Sequence, residues 1–382
     1  MVIEVVPHER DETGLSHLTI SYPRGRLETP ERLVNRNDLN AKSVVGAELG
    51  VTTGGRPFVY DLEVSPQSLY SIRNTNEYLG EICAKVSSVL GLVYGLSLRI
   101  VHARLTRPLL ATVRVDENAR RDVARFLIAL AAELRVDAFV MQSCLLSDAD
   151  WRVIDRNGTP VVPFADIHSV PEVDQVLEVA VKRGASNVPL IGVSHAIYRR
   201  AYVTSNRILD AQERLHDQGF GILVLGAPRI LGGEDPRGHD ISAPHYSAFL
   251  MGDVVGQAFA KGGPHDPSTR LFRVFERADL EARVLAEGHD ATEHGGEDAP
   301  FARDPELDRL FWRTMRFAND ANDGRDGRVP AILRLHEVVA SGQEFAAMRS
   351  AIMGSELVAY RESKGSFDRW LASEGREQDP RE

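Results

Sequence analysis

Several apolar runs in the middle of this chain end on residues that can move a proton or attack carbon. PVVPFADI (160–167) carries Asp166, with His168 just beyond; VPLIGVS (188–194) ends in Ser194, followed by His195; SAFLMGDVV (247–255) carries Asp253. A fourth run, GILVLGA (221–227), closes on Gly226 ahead of Pro228. In parallel α/β folds the reactive groups gather at the carboxyl ends of strands, so these terminal residues are the ones to read for chemistry. A carboxylate there serves as nucleophile or general base, and two of them can divide the roles. Either aspartate could equally cap the helix that follows.

Metal chemistry finds less support. His168, His195, His239 and His245 are scattered, with no HxH or HExxH spacing. Cys83 and Cys144 are the only cysteines and sit in apolar runs, which fits buried small hydrophobes and excludes a cysteine-rich zinc site. The run RILGGEDPRGHD (229–240) is glycine-rich but matches neither phosphate-binding pattern, GxGxxG or GxxxxGK[ST], and reads as an active-site loop.

The elements that must position these groups alternate. From about residue 136, short runs rich in Val, Ile and Phe (137–143, 160–167, 188–194, 221–227 and 247–255) alternate with stretches of helical periodicity that stop at Gly184 and Gly219. Five strands in one direction need cover on both faces or closure into a barrel. Residues 1–70 read as β-rich, in IEVV, LSHLTISY and RPFVYDLEV, and 77–135 as two helical runs, the second opened by Asp116, Glu117 and Asn118. The expected fold is α/β, a (β/α)8 TIM-type barrel with an N-terminal β section and C-terminal helices. It divides into 1–284, an acidic glycine-containing insert at 285–308, and a helical part at 309–382 that packs on the barrel.

With 382 residues and 43% apolar content, the chain can bury a large core. A formal charge of −10 confines any grip on nucleic acid to local Lys/Arg patches. No apolar run reaches the roughly 18 residues needed to span a bilayer, and the N-terminus lacks the order of a signal peptide, so a cytoplasmic protein without a membrane partner is expected.

Segments spread over most of the chain resemble the tRNA-guanine transglycosylase superfamily. GRLETP (25–30) with VVGAELGV (44–51) is similar to the family's opening, and residues 188–228 resemble its G-I-V-Q-G-G strand end, helix and G-F-x-G-y-a-I-G-G segment. RLHEVVASGQEFAAMRSAIMGSELVAYRES (334–363) looks like its C-terminal helices and is the most specific of the three. The family displaces guanine from ribose with an aspartate, forming a covalent intermediate that a free 7-deazaguanine then attacks. The resemblance implies that Ser194 stands where the family has a purine-reading Gln, that Gly226 offers backbone to the base, and that Asp166 lies near the base-recognition Asp. His168 and His195 join this substrate-binding set. GDVVGQAFAKG (252–262) resembles the segment of the nucleophile, which would be Asp253; a shifted alignment gives Asp279. Asp61 of PFVYDLEVSPQ is the counterpart of the Asp in D-S-G-G-F-Q.

Departures from the pattern carry their own expectations. His336 stands where the family has a zinc-binding histidine, but no C-x-C-x-x-C precedes it, so no zinc or other cofactor is expected. The missing cysteines, the missing D-S-G-G-F-Q and the acidic chain point to a diverged branch resembling the enzymes that insert 7-cyano-7-deazaguanine into DNA. The expected partners are DNA ahead of tRNA, the free 7-deazaguanine base, and a second copy or other proteins of a modification system. Two alternatives stand: a tRNA enzyme, and a catalytically silent barrel that only binds nucleic acid or a partner.

Overall fold

The computed structural model describes residues 3–10, 16–41, 56–93, 98–165, 188–195, 215–227, 241–249, 252–257, 273–284 and 328–365. Its first three strands, β1 (Glu4–Arg10), β2 (Ser16–Tyr22) and β3 (Gly25–Glu28), form an antiparallel sheet. Their period-2 pattern puts Leu18, Ile20, Tyr22 and Leu27 on one buried face.

Eight parallel strands follow: β4 (Glu31–Leu33), β5 (Phe58–Val64), β6 (Arg99–Leu105), β7 (Ala138–Gln142), β8 (Val161–Ala165), β9 (Leu190–Ser194), β10 (Gly221–Ala227) and β11 (Val254–Gln257). From β5 to β11 each pairs with the next in chain order, and β11 pairs with β4. A parallel bridge between Val34 and Phe58 joins β4 to β5, with Val34 N donating to Pro57 O (2.8 Å) and Val59 N to Val34 O (2.9 Å). This is the ring of a TIM-type barrel.

Leu33, Val59, Ile100, Val140, Phe164 and Leu223 pack inside the ring in one cluster with the buried face of the N-terminal sheet. That sheet closes the amino end of the barrel: Arg24 pairs with Asp137, the residue before β7, whose carboxylate also accepts from Arg99 N at the start of β6 (2.7 Å).

Side chains of the other parity face outward and are covered by helices. After α1 (Arg36–Ala41), the helices α2 (Pro66–Asn74), α3 (Tyr78–Leu90), α4 (Arg107–Val115), α5 (Glu117–Glu133) and α6 (Asp148–Asn157) build one half of the outer layer. Their ends are locally encoded. Ser65 and Ser68 form a capping box for α2, Asp116 accepts from Asn118 N and Ala119 N to start α5, and α6 ends on Gly158 at φ +61.

The other half is covered by α7 (Ala243–Phe249), the hairpin of β12 (Arg273–Glu276) and β13 (Glu281–Val284), and α8 (Arg328–Met353), with α9 (Leu357–Glu362) beyond it. Buried charge ties α8 to the ring. Arg32 of β4 is fully buried, 3.1 Å from Gln257 Oε1 and 3.5 Å from Asp38 Oδ1, while Gln257 Nε2 donates to Glu337 Oε1 of α8 (2.7 Å).

The expected fold class therefore stands, with corrections to its elements. Three barrel strands precede the five read from the sequence: RPFVYDLEV belongs to the ring rather than to a separate β section, Glu31–Leu33 is too short to show periodicity, and Arg99–Leu105 lies between the two expected helical runs. SAFLMGDVV is not one strand; its first residues end α7 and its last begin β11. The 285–308 insert lies outside the described residues, as does most of 309–382 ahead of α8. Among the described residues no helix is long and apolar enough to cross a membrane.

Candidate active site

Alternation on β5 and β6 decides which polar side chains look into the barrel. Val59 and Ile100 belong to the interior cluster, so Asp61 and Glu63 on β5, and His102 and Arg104 on β6, share that face nearer the carboxyl ends. The register pairs them directly, Asp61 with His102 and Glu63 with Arg104. His102 Nδ1 lies 2.9 Å from Asp61 Oδ1, and Arg104 Nη2 donates to Glu63 Oε2 at 3.0 Å. By the same parity Gln142 of β7 follows Val140, and Ser194 of β9 follows Leu190 and Gly192. A polar layer of Asp61, His102, Gln142 and Ser194 thus stands above an apolar floor.

The His102 ring packs against Phe164 of β8, centroids 4.7 Å apart. Phe164 in turn occupies the space over Gly192, where an added Cβ would come within 2.8 Å of Phe164 Cδ2. The imidazole is therefore fixed by a carboxylate at Nδ1 and by a ring on its face. An ionised carboxylate only accepts, so Nδ1 is the donor in this bond and Nε2 is the ring position left to take or give a proton. That Nε2 is buried and has no hydrogen-bond partner among the described residues. The side chain of His102 is 4% exposed and that of Asp61 12%, both sheltered from bulk water toward the carboxyl ends of their strands. Such a pair can take a proton from, or give one to, a group bound at the mouth.

Of the residues expected from the sequence, Asp61 is brought into this arrangement. Ser194 and Gly226 lie at the carboxyl ends of adjacent strands; Ser194 is in register with Leu225, and Gly226 is exposed at φ +76, where the β10 register shifts. His195 turns to α7 instead, its Nδ1 2.8 Å from Ser247 Oγ, buried between strand and helix. Asp166 and His168 lie outside the described residues.

Asp253 is at the wrong end of the barrel for the role expected of it. It precedes β11 and so sits at the amino end, 3% exposed. Its Oδ2 accepts from Ile222 N (2.6 Å) and lies 2.9 Å from His216 Nε2; its backbone carbonyl accepts from Glu31 N (3.0 Å). These bonds stitch β10, β11 and β4 together and make Asp253 a structural carboxylate. The cause lies at Gly252, where a Cβ would meet Val224 Cγ2 at 2.7 Å: the chain turns there from α7 into the strand. Asp279, the other expected nucleophile, lies in the β12–β13 turn rather than on a barrel strand.

His336 is buried in α8, and among the described residues no group of three metal donors gathers around it. His102 and Arg104 were not singled out from sequence. The signal was IVHARL, a β-branched run whose alternate residues are charged. No family model matches the chain, and no curated protein matches it.

Proposed function

We propose that this chain is a base-exchanging glycosyltransferase acting on guanine in nucleic acid, DNA ahead of tRNA, and that it works at the carboxyl-end mouth of the barrel. One observation carries the reading: the Asp61–His102 pair, on neighbouring strands, with Nε2 buried and unpartnered among the described residues. The resemblance of residues 334–363 and 188–228 to the transglycosylase superfamily supplies the reaction class.

Base exchange makes two demands that these residues meet. A carboxylate attacks C1′ as the bond to the purine nitrogen breaks, and the departing base takes up a proton; the incoming 7-deazaguanine then gives up a proton as it attacks C1′ and frees the carboxylate. His102 Nε2 is the proton carrier in both halves: entering as the imidazolium, it gives its Nε2 proton to the departing base and takes one back from the incoming 7-deazaguanine. Asp61 is the carboxylate, since its Oδ2 takes no hydrogen bond among the described residues, with Asp166 as the alternative. Ser194 and the backbone at Gly226 stand at the same mouth, where they can read the purine edge. The target base must leave its stack to reach them.

The test is direct. Purified protein is incubated with duplex DNA, single-stranded DNA or tRNA and with isotope-labelled 7-cyano-7-deazaguanine or guanine, and digested nucleosides are read by mass spectrometry. Label entering DNA supports the reading, label entering tRNA alone moves the substrate, and label entering neither overturns it.

A further inference from the structure

A second cluster of reactive side chains lies at the other end of the barrel, on the N-terminal sheet. Between the pairs Pro7–Leu18 and Arg10–Ser16, two residues of β1, His8 and Glu9, oppose one residue of β2, His17. That is a β-bulge, a device that re-aims a side chain. Here the His8 ring stacks on the His17 ring, centroids 4.4 Å apart and planes 24° from parallel. On the next strand Glu28 pairs with Thr19, and its Oε2 reaches within 2.8 Å of His17 Nε2.

Part of this cluster is satisfied without any ligand. Thr19 Oγ1 lies 2.7 Å from His8 Nε2 and donates to Glu28 Oε2 at 2.7 Å, and Arg26 lies 2.6 Å from Glu28 Oε1. His17 is the residue this leaves unexplained. It is 5% exposed, and its Nε2 is buried with no hydrogen bond of acceptable geometry despite the nearby carboxylate. Burial, and then the neighbouring His8, hold the His17 ring below its ordinary value against the opposing pull of Glu28. Donor atoms of His8, His17 and Glu28 all lie within 4.8 Å of one another, the only such group of three among the described residues.

We propose that His8, His17 and Glu28 form a three-ligand site for a borderline transition-metal ion, zinc before others, with a further position open to water. Two imidazoles and a carboxylate are a donor set that zinc and cobalt(II) accept. Bond lengths of about 2.0–2.2 Å set the donors roughly 3.4 Å apart, so the exposed His8 closes in while the 2.8 Å contact of His17 with Glu28 widens. The ion would pin β1 to β2 and β3 where the sheet closes the amino end of the barrel. This site runs against the sequence expectation of a metal-free chain, and it does not depend on the base-exchange reading.

The full-length protein, stripped with chelator, is titrated with cobalt(II) alone and followed by its ligand-field absorption; zinc retained after gel filtration is measured by elemental analysis. One ion per chain is expected, with a higher melting temperature in zinc. His8→Ala and Glu28→Gln should each weaken binding at least ten-fold and abolish the zinc-dependent rise in melting temperature. His8 is exposed, so its variant is expected to keep the parent circular dichroism even if His17→Ala does not fold. Failure of the parent to retain an ion overturns the proposal. So does binding by His8→Ala and Glu28→Gln as tight as the parent's, because other histidines would then hold the metal.

Discussion

Phe164 holds His102 from the side: their rings lie 4.7 Å apart, and Phe164 fills the space that a side chain on Gly192 would take. The absence of a Cβ on β9 thereby sets the position of an imidazole on β6. A Cβ at residue 192 would meet Phe164 Cδ2 at 2.8 Å and Val140 Cγ1 at 3.1 Å, so both must move. Gly192→Ala is expected to cost about 1–3 kcal/mol, the range for overpacking a core. It should also lower turnover by displacing the histidine. Calorimetry and exchange kinetics check both, and an unchanged rate in a destabilised variant would separate Phe164 from the chemistry.

Asp61 should matter for rate rather than for folding. His102→Ala removes the proton carrier and should lower kcat by about 10²–10⁴, and Asp61→Asn removes the attacking oxygen and should lower it at least as far. Loss of the hydrogen bond is expected to cost no more than about 1–3 kcal/mol of stability. Single-turnover measurements on folded variants decide it. Activity within two-fold of the parent in both would remove the pair from the mechanism.

Much of the architecture was legible from residue pattern. β7 and β8 are apolar over 138–141 and 161–165 because they are buried on both faces, and such runs stand out from helical periodicity. The start of α5 was equally plain, since Asp116 bonds Asn118 N and Ala119 N within three residues. What failed was less local. Glu31–Leu33 becomes a strand only through β11 and the bridge to Phe58, partners far away in sequence. Asp253 looked like the end of a strand because the apolar residues of α7 run straight into those of β11, and only the turn at Gly252 separates them. The Asp61–His102 pair joins residues 41 apart through strand register, which no spacing rule in one sequence reveals.

Asp253 should behave as a structural residue. Asp253→Ala removes the acceptor of Ile222 N and a contact of His216, leaving a buried backbone donor unpaired at about 1–3 kcal/mol. Asp253→Asn keeps one acceptor oxygen and should cost less. Denaturant melts rank the two variants. The amide variant should exchange base at the parent's rate once folded; a stable but inactive Asp253→Asn would return the nucleophile to this position.

His245 should govern how stability falls in mild acid. The ring is fully buried, with Nδ1 2.8 Å from Ser242 Oγ, between Phe275 and Phe345. Burial pushes it down from 6.5 to about 3, so it stays neutral when folded. Once unfolded, the same ring takes up a proton below its ordinary value. The unfolded state therefore binds more protons between about 6.5 and 3. The stability from a neutral His245 is complete above that window and is lost as pH falls through it, by up to about 1.4 kcal/mol per pH unit. Glu344 acts lower. Burial raises its carboxyl, but Lys364 and Arg277 outweigh that and hold it below 4.5, so its contribution is lost only in stronger acid. Urea melts of the parent and of His245→Leu at pH 7.5, 6.0 and 5.0 separate the two groups. The parent should lose stability between pH 6.5 and 5 faster than the leucine variant. Parallel curves over that interval would mean that His245 takes up its proton in the folded protein.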